Sequence, residues 1–290
     1  MSIANAFEKL DKYRKLRQRM IVLPILGVEA VTTPLTVGDD LTLRTMVVTP
    51  ELYDQEITKL IYSHIEFPSL PKRPTFSEFL ERLSAFDRSY ALWGIFICTY
   101  ETFGVQHIKC PKCNEEWDNE IKIEELIQPD FVNKIWKNDL PFIQYTYNID
   151  IDLNSEDISK IRFVTCIPTI KKRLDVLKTI NSEIIKRNMD RYGGIFSRVD
   201  EISLITKSIE VHSPDGSNPE IIEGITNITR ALNQYIPEQI TKKALEIYNG
   251  EHDKYVPEFK KQYGCNVCGH EFNFYVNMEM SLFQQFFRTS

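Results

Sequence analysis

The sequence predicts an α+β protein that is mainly α-helical, in which a small ribbon of two hairpins is divided by a large helical insertion. Three observations lead to this prediction. Two segments with the same spacing of cysteine, acidic and aromatic residues lie near residues 110 and 265. The 151 residues between Cys113 and Cys265 are mostly helical in their hydrophobic spacing. The stretch before the first segment contains further helical patterns.

Composition and charge limit the classes of protein to which this chain can belong. Its 290 residues are 42% hydrophobic and include 17 Phe and 13 Tyr, as in a folded globular protein. The formal net charge of −6 argues against a surface built to bind nucleic acid or anionic lipid. No run of about 18 apolar residues, the length of a membrane span, is present. The start lacks a secretory signal, so we expect a reducing compartment in which paired cysteines bind metal.

The N-terminal region, residues 1–50, is predicted to be a basic arm followed by an extended segment. Six Lys and Arg side chains lie between Lys9 and Arg19. They indicate a solvated amphipathic helix over residues 5–20, which we favour over an arm that binds nucleic acid. A contact with a partner protein fits either interpretation. Residues 20–48 contain β-prone runs separated by proline and glycine, which predicts extended structure.

Residues 51–123 are predicted to be a helical region that leads into the first cysteine pair. One helix begins at Pro50, where proline fits the first turn. Thr75 and Glu78 have the spacing of a capping box, which predicts the start of another helix. A nearly all-apolar helix over 87–103 lacks a wide polar face and is therefore expected to be buried.

Residues 124–262 are predicted to form the helical insertion, and 263–290 the second cysteine pair with a C-terminal aromatic segment. Hydrophobic periodicity assigns the helices of the insertion. The candidate helices are 124–138, 155–162, 166–192, 197–209, 218–233 and 237–249.

The two C-x-x-C pairs are the strongest functional signal in the sequence. After each pair, Glu, an aromatic residue and an aliphatic residue recur at the same offsets. This repetition indicates that the same unit, a hairpin whose tight turn (the knuckle) carries the two cysteines, occurs twice. Four thiolates fill the tetrahedral shell of zinc and leave no position for water, so the predicted site is structural, with one Zn²⁺ per chain. The predicted ligands are Cys110, Cys113, Cys265 and Cys268.

Alternative interpretations of the cysteines remain open at this point. A redox C-x-x-C needs only one pair. Two separate zinc sites would recruit His107 and His270, but each site would then be one ligand short. Cys98 and Cys166 lie in apolar runs and are expected to be buried thiols rather than ligands.

Other motifs give no support to catalysis. Gly38-Asp39-Asp40 resembles the acidic pair of some polymerases, but without a companion aspartate motif it is predicted to be a turn. The segment that begins at Asp150 starts like a calcium-binding loop, but it lacks the glycine and the glutamate that such a loop requires. Nucleotide-binding and hydrolase motifs are absent from the sequence. We therefore predict a protein that is not an enzyme, with no catalytic residue, no organic cofactor and no small-molecule substrate.

The segments PLTVGDDLTLRTMVVTPELYDQEITKLIYSH and FSEFLERLSAFDRSYALWGIFICTYETFGVQHIKCPKCNEEW carry a family resemblance. Over residues 33–120 the chain resembles the T4-type bacteriophage baseplate hub family of contractile-tailed phages. The matching positions are Pro34, Leu35, Gly38 to Leu41, Tyr53, Asp54, Phe86, Asp87, Trp93, Gly94, Cys110 and Cys113.

The resemblance implies a structural or assembly role in a tail baseplate, through contacts with other baseplate and hub proteins. It also implies a place in the virion, after assembly in the host cytoplasm. The alternative is a zinc-ribbon protein that binds nucleic acid or acts in transcription. The acidic charge of the chain and the few basic residues near the knuckles argue against that alternative.

Overall fold

The structure is a computed structural model that describes residues 3–45, 50–126, 146–153, 155–187, 198–252 and 259–276. These residues fold around two main hydrophobic cores. The first core contains the region before the first cysteine pair together with the hairpin of the second pair. The second core lies between the two cysteine pairs in sequence. No helix within the described ranges has both the length and the apolar character needed to cross a bilayer.

The elements before residue 127 begin with helices and a small sheet and end with the first cysteine hairpin. In chain order they are α1 (Ile3–Leu16), β1 (Arg19–Leu23), β2 (Val28–Thr32), α2 (Val37–Thr45), α3 (Pro50–Ser63), β3 (Ile65–Glu66), α4 (Phe76–Arg82), α5 (Ala85–Thr99), β4 (Thr102–Lys109), β5 (Glu116–Lys122) and a 3-10 turn (Ile123–Leu126). The strands β1, β2 and β3 form an antiparallel sheet in that order, and β4 pairs with β5.

The elements after residue 145 form a four-stranded sheet with helices and then the last hairpin. In chain order they are β6 (Thr146–Asp152), β7 (Lys160–Cys166), α6 (Ile170–Arg187), α7 (Arg198–Ile205), β8 (Thr206–His212), β9 (Glu220–Glu223), α8 (Ile225–Gln234), α9 (Glu238–His252), β10 (Lys260–Gly264) and β11 (Glu271–Tyr275). The sheet order is β6-β7-β8-β9, with every pair antiparallel, and β10 pairs with β11.

Helix α5 is the centre of the first core. As predicted, it is largely buried, with ten of its fifteen residues buried. It ends at Thr99 rather than at residue 103, because the chain from Thr102 onward is the strand β4. It packs across β1 and β2, where Gly94 approaches the sheet so closely that an added Cβ would lie 3.0 Å from side-chain atoms of Ile21 and Thr32. Phe259 and Tyr263, from the end of the chain, complete the same core. The last hairpin is therefore a structural part of the first half.

A pair of glycine-to-alanine substitutions tests this close contact. Gly250 lies in α9 with nothing within 4 Å of an added Cβ, so Gly250→Ala gains helix propensity only. Gly94→Ala gains the same propensity but pushes its methyl group against two buried residues. We expect Gly94→Ala to be about 1–3 kcal/mol less stable than Gly250→Ala in urea unfolding. Equal stability of the two variants would contradict a contact between α5 and the sheet as close as 3.0 Å from the added Cβ of residue 94.

The second core lies on one face of the four-stranded sheet. Ile149, Ile151, Ile161 and Phe163 project from β6 and β7 and are each at most 5% exposed. Helices α7, α8 and α9 cover them. In both strands the residues between these side chains are exposed or half-buried, as expected for a sheet with one face buried.

The segment 168–173 joins the two cores. The backbone N–H of Ala85 donates to the carbonyl of Pro168 at 3.1 Å, and that of Ile170 donates to the carbonyl of Leu83 at 2.9 Å. Helix α6 then packs against α3 and α4 of the first half and against α7 of the second. The first turn of α6 is thus the place where the insertion is attached to the body of the protein.

The prediction of a mainly α-helical fold with a mostly helical insertion was wrong. Within the described residues the protein is a mixed α+β structure with four antiparallel sheets, and the largest sheet lies inside the insertion. The end of candidate helix 155–162 lies in β7, the end of 197–209 in β8, and the start of 218–233 in β9. Short apolar runs fit both periods, and pairing across the sheet decides for strands.

The extended segment predicted for 20–48 is only partly correct. Strands β1 and β2 are present, but Val37–Thr45 is the helix α2. Gly38-Asp39-Asp40 therefore lies in a first helical turn, and its prediction as a turn was wrong. Thr36 and Asp39 exchange side-chain and backbone hydrogen bonds that satisfy the start of α2. The prolines of this region indicate extended structure, but the hydrogen bonds between Thr36 and Asp39 specify a helix start.

Other predicted elements agree with the structure. The capping box of Thr75 and Glu78 begins α4, and the helix expected at Pro50 is α3. The candidate helix 166–192 contains α6, and 237–249 covers all but the last three residues of α9. Most of candidate helix 124–138 and the C-terminal aromatic segment after residue 276 lie outside the described residues.

Candidate metal centre

The first knuckle connects β4 to β5 and exposes its backbone amides to the cysteine sulfur atoms. The N–H of Cys110 donates to the carbonyl of Glu115 at 2.8 Å, and the N–H of Asn114 donates to the carbonyl of Cys110 at 3.0 Å. Asn114 has a φ of 61°, which closes the turn tightly. Asparagine tolerates this left-handed conformation better than most residues do.

The second knuckle, between β10 and β11, repeats this arrangement residue for residue. The N–H of Cys265 donates to the carbonyl of His270 at 3.0 Å, and that of Gly269 donates to the carbonyl of Cys265 at 2.9 Å. Gly269 has a φ of 66° at the position equivalent to Asn114. The same hydrogen bonds and the same positive φ in both turns give the two hairpins equivalent conformations.

Aromatic side chains hold the two hairpins against each other. Trp117 and Phe272, which occupy equivalent positions after the two knuckles, meet edge to face with ring centroids 6.0 Å apart. The Trp117 ring also lies 6.2 Å from the ring of Tyr263, whose hydroxyl accepts a hydrogen bond from Asn119 at 3.0 Å. Lys261 pairs with Glu125 at 2.5 Å beside them. The contact is therefore fixed by packing as well as by the cysteines.

The four predicted cysteines converge at the junction of the hairpins. The sulfur atoms of Cys110 and Cys268 are 3.7 Å apart, those of Cys113 and Cys265 are 3.5 Å apart, and all four lie within 4.8 Å of one another. A tetrahedron with metal–sulfur bonds of about 2.3 Å has sulfur–sulfur edges of about 3.8 Å. The cluster therefore has the dimensions of a site for one metal ion.

The knuckle amides favour the thiolate form that a metal requires. A hydrogen bond from the backbone N–H of Cys268 lowers the pKa of the Cys265 thiol to about 7. Burial alone would raise the pKa of Cys110, but hydrogen bonds from the backbone N–H groups of Cys113 and Lys112 outweigh burial and lower it. The thiolate is the form that binds metals, so each turn prepares its first cysteine as a ligand.

The two histidines near the knuckles, His107 and His270, lie outside the sulfur cluster. His107 is exposed on β4, where its ring nitrogens contact Asp118 at 2.9 Å and Glu116 at 3.3 Å. His270 stacks on the ring of Phe272. The one cluster found among the described residues that is suited to a metal contains four cysteines and no histidine. This arrangement favours a single site over two separate ones.

The other two cysteines differ from each other. Cys98 is buried, as predicted, and its thiol contacts the side chain and carbonyl of Thr32 at 3.3 Å. Cys166 is half-buried rather than buried, and its sulfur lies 3.4 Å from the Nζ atom of Lys172. The apolar run around Cys166 belongs to a strand end, which leaves one side of the residue accessible.

A buried cluster of charges was not identified from the sequence. The carboxylate of Asp54 on α3 accepts hydrogen bonds from Arg88 on α5, at 2.8 Å, and from Arg173 on α6. Asp54 and Arg88 have side chains only 2% and 1% exposed. A charged Asp87-Arg88 pair at the start of an otherwise apolar helix was the available signal.

No protein-family model, no curated protein and no solved structure matches this chain. Four cysteine sulfur atoms on two equivalent hairpins form a cluster that could hold a metal ion.

Proposed function

We propose that this chain is a non-catalytic structural or assembly protein of a contractile phage tail baseplate, stabilised by one zinc ion on Cys110, Cys113, Cys265 and Cys268. The proposed zinc site is supported by the convergence of four sulfur atoms from two equivalent knuckles. Tetrahedral sulfur coordination suits zinc, and four protein ligands leave no position for substrate or water. A closed site of this kind contributes folding free energy rather than chemistry.

The position of the cluster in the fold also supports a structural role. It joins residues separated by 151 positions, and the second hairpin contributes Phe259 and Tyr263 to the first core. Closing a long segment costs conformational entropy, which a metal clip offsets in the folded state. The proposed zinc therefore closes the base of the insertion.

Support for the baseplate assignment comes from the resemblance over residues 33–120. Its motif residues include Asp54 in the buried charge cluster and Gly94 at the contact of α5 with the sheet. Exposed apolar side chains on α1 support a role in protein contacts, since Phe7, Leu10 and Tyr13 are 60–66% exposed. The proposed partners are other baseplate and hub proteins.

The nucleic-acid alternative is disfavoured near the metal centre. Lys109 on β4 pairs with Glu116 at 2.7 Å, and His107 faces Glu116 and Asp118. Lys109 and His107 are therefore matched by carboxylates instead of being available for phosphates. Binding to DNA or RNA that weakens steeply with added salt would favour the alternative function instead.

Quantitative mass spectrometry of purified phage particles tests the baseplate assignment. We expect this chain at a fixed copy number relative to other tail proteins, or bound to isolated tail-assembly intermediates if it acts only in assembly. A tail protein of known copy number serves as the internal standard. Absence from both particles and intermediates, combined with salt-sensitive binding to nucleic acid, would contradict the assignment.

A further inference from the structure

Cys166 and Lys172 are placed beside each other by the turn between β7 and α6. Cys166 is the last residue of β7, and Lys172 lies in the first turn of α6. The Nζ atom of Lys172 is 3.4 Å from the Cys166 sulfur and donates a 2.6 Å hydrogen bond to the carbonyl of Thr206. These contacts hold a nucleophilic amine against a thiol outside the metal centre.

We propose that Cys166 and Lys172 form an oxidant-driven covalent cross-link. In the first step, hydrogen peroxide oxidises the Cys166 thiol to a sulfenic acid and is itself reduced to water. In the second step, the Lys172 amine attacks the sulfur, an S–N bond forms, and the S–O bond breaks as a second water leaves. The net change is the loss of one hydrogen from the thiol and one from the amine.

The surroundings of the pair favour this reaction. Burial lowers the pKa of Lys172, although the nearby Cys166 sulfur acts in the opposite direction, and a lower pKa increases the fraction of nucleophilic neutral amine. Both side chains are half-buried, so a small oxidant can reach the sulfur while the turn limits the motion of the amine. Sulfenic acids condense with nearby nitrogen nucleophiles, and the amine is held within contact distance.

The cross-link would lie at the attachment point of the insertion. Between the two linked residues, Pro168 and Ile170 make the backbone hydrogen bonds that bind the segment to the first core. Tyr248 of the second core donates to the Cys166 carbonyl at 3.3 Å. A covalent bond here would fix the strand end to the helix and lock the junction between the cores. It depends neither on the metal nor on the baseplate assignment.

The test is peptide mass spectrometry of the full zinc-bound chain after treatment with hydrogen peroxide. We expect a linked pair of peptides containing Cys166 and Lys172, lighter by two hydrogens than their sum and separated by dithiothreitol. A linked pair that retains one oxygen also supports the proposal, since an N–O–S bridge consumes a second peroxide and releases three waters in total. In both products the same two residues are linked.

Matched variants assign the link. Lys171→Arg, at the adjacent position that pairs with Asp175, should leave the linked product unchanged. Lys172→Arg and Cys166→Ser should each abolish it. Met20 is 48% exposed, and its conversion to the sulfoxide shows that the oxidant was effective. The proposal would be overturned if Cys166 stayed reduced at a peroxide concentration that oxidises Met20. It would also be overturned if Cys166 were oxidised while Lys172 stayed unmodified.

Discussion

Replacing Cys265 by serine is expected to abolish the soluble folded state. Structural zinc in small domains contributes about 10–16 kcal/mol of binding free energy at neutral pH. This is as large as the whole stability of a typical domain, about 5–15 kcal/mol. Cys265 is buried beside the first core, and its loss removes one of four ligands together with the closure of the insertion. Soluble yield, zinc content and circular dichroism measure the effect.

Cys166→Ser is the matched control for this experiment. It makes the same chemical change at a half-buried cysteine outside the sulfur cluster. We expect Cys166→Ser to remain soluble, to keep its metal and to melt close to the wild-type temperature. If Cys265→Ser behaved in the same way as Cys166→Ser, the cluster would have no structural role.

The second large effect is expected from Asp54→Ala. The substitution removes the carboxylate that faces the guanidinium groups of Arg88 and Arg173, in a region with almost no solvent exposure around Asp54 and Arg88. Removing one partner of a buried ion pair costs about 3–5 kcal/mol, because the opposite charge stays buried. Three helices meet at this carboxylate, so denaturant unfolding should show the full loss of stability.

An exposed carboxylate provides the control for Asp54. Asp150 also contacts two cations, Lys160 and Arg162, but its side chain is 42% exposed. Ion pairs in such positions contribute about 0–1 kcal/mol. Asp150→Ala should therefore unfold near the wild-type denaturant concentration. Equal losses in Asp54→Ala and Asp150→Ala would contradict the importance of the buried cluster.

The pH dependence of the Asp54 effect follows from its pKa. Burial alone would raise the pKa of Asp54, but Arg88 and Arg173 outweigh burial and hold the pKa below its ordinary value. The ionised carboxylate therefore stabilises the fold fully above about pH 4, the pKa of an unfolded aspartate. This contribution is lost as the pH falls through the lower folded-state pKa. The stability gap between wild type and Asp54→Ala should narrow on acidification, and a gap that widens would contradict this charge assignment.

The four-cysteine cluster could be predicted from the sequence because its signal is local and repeated. Cysteine spacing fixes a knuckle, and the equivalent aromatic positions Trp117 and Phe272 identify the hairpins. Strongly marked helices were also predictable, since Pro50 and the capping box at Thr75 specify their starts through neighbouring residues. In each case the determining contacts are close in sequence.

The sheet of the insertion and the buried charges depend on contacts between distant residues. Strand β7 pairs with both β6 and β8, and Ile161 is buried only because that sheet forms. In isolation, its short apolar pattern fits a helix as well as a strand. The partners of Asp54 likewise lie 34 and 119 residues away. Such pairings follow from the topology, which the local pattern did not specify.

Native mass spectrometry of the full chain, purified under reducing conditions without added chelator, tests whether the four cysteines hold a structural zinc ion. We expect one zinc ion per folded chain, and loss of the folded state when a chelator removes it. Iron at the same stoichiometry would keep the four-sulfur site but contradict its assignment to zinc, because tetrahedral sulfur sites also suit iron. A metal-free chain that is soluble and folds cooperatively would contradict the structural metal centre itself.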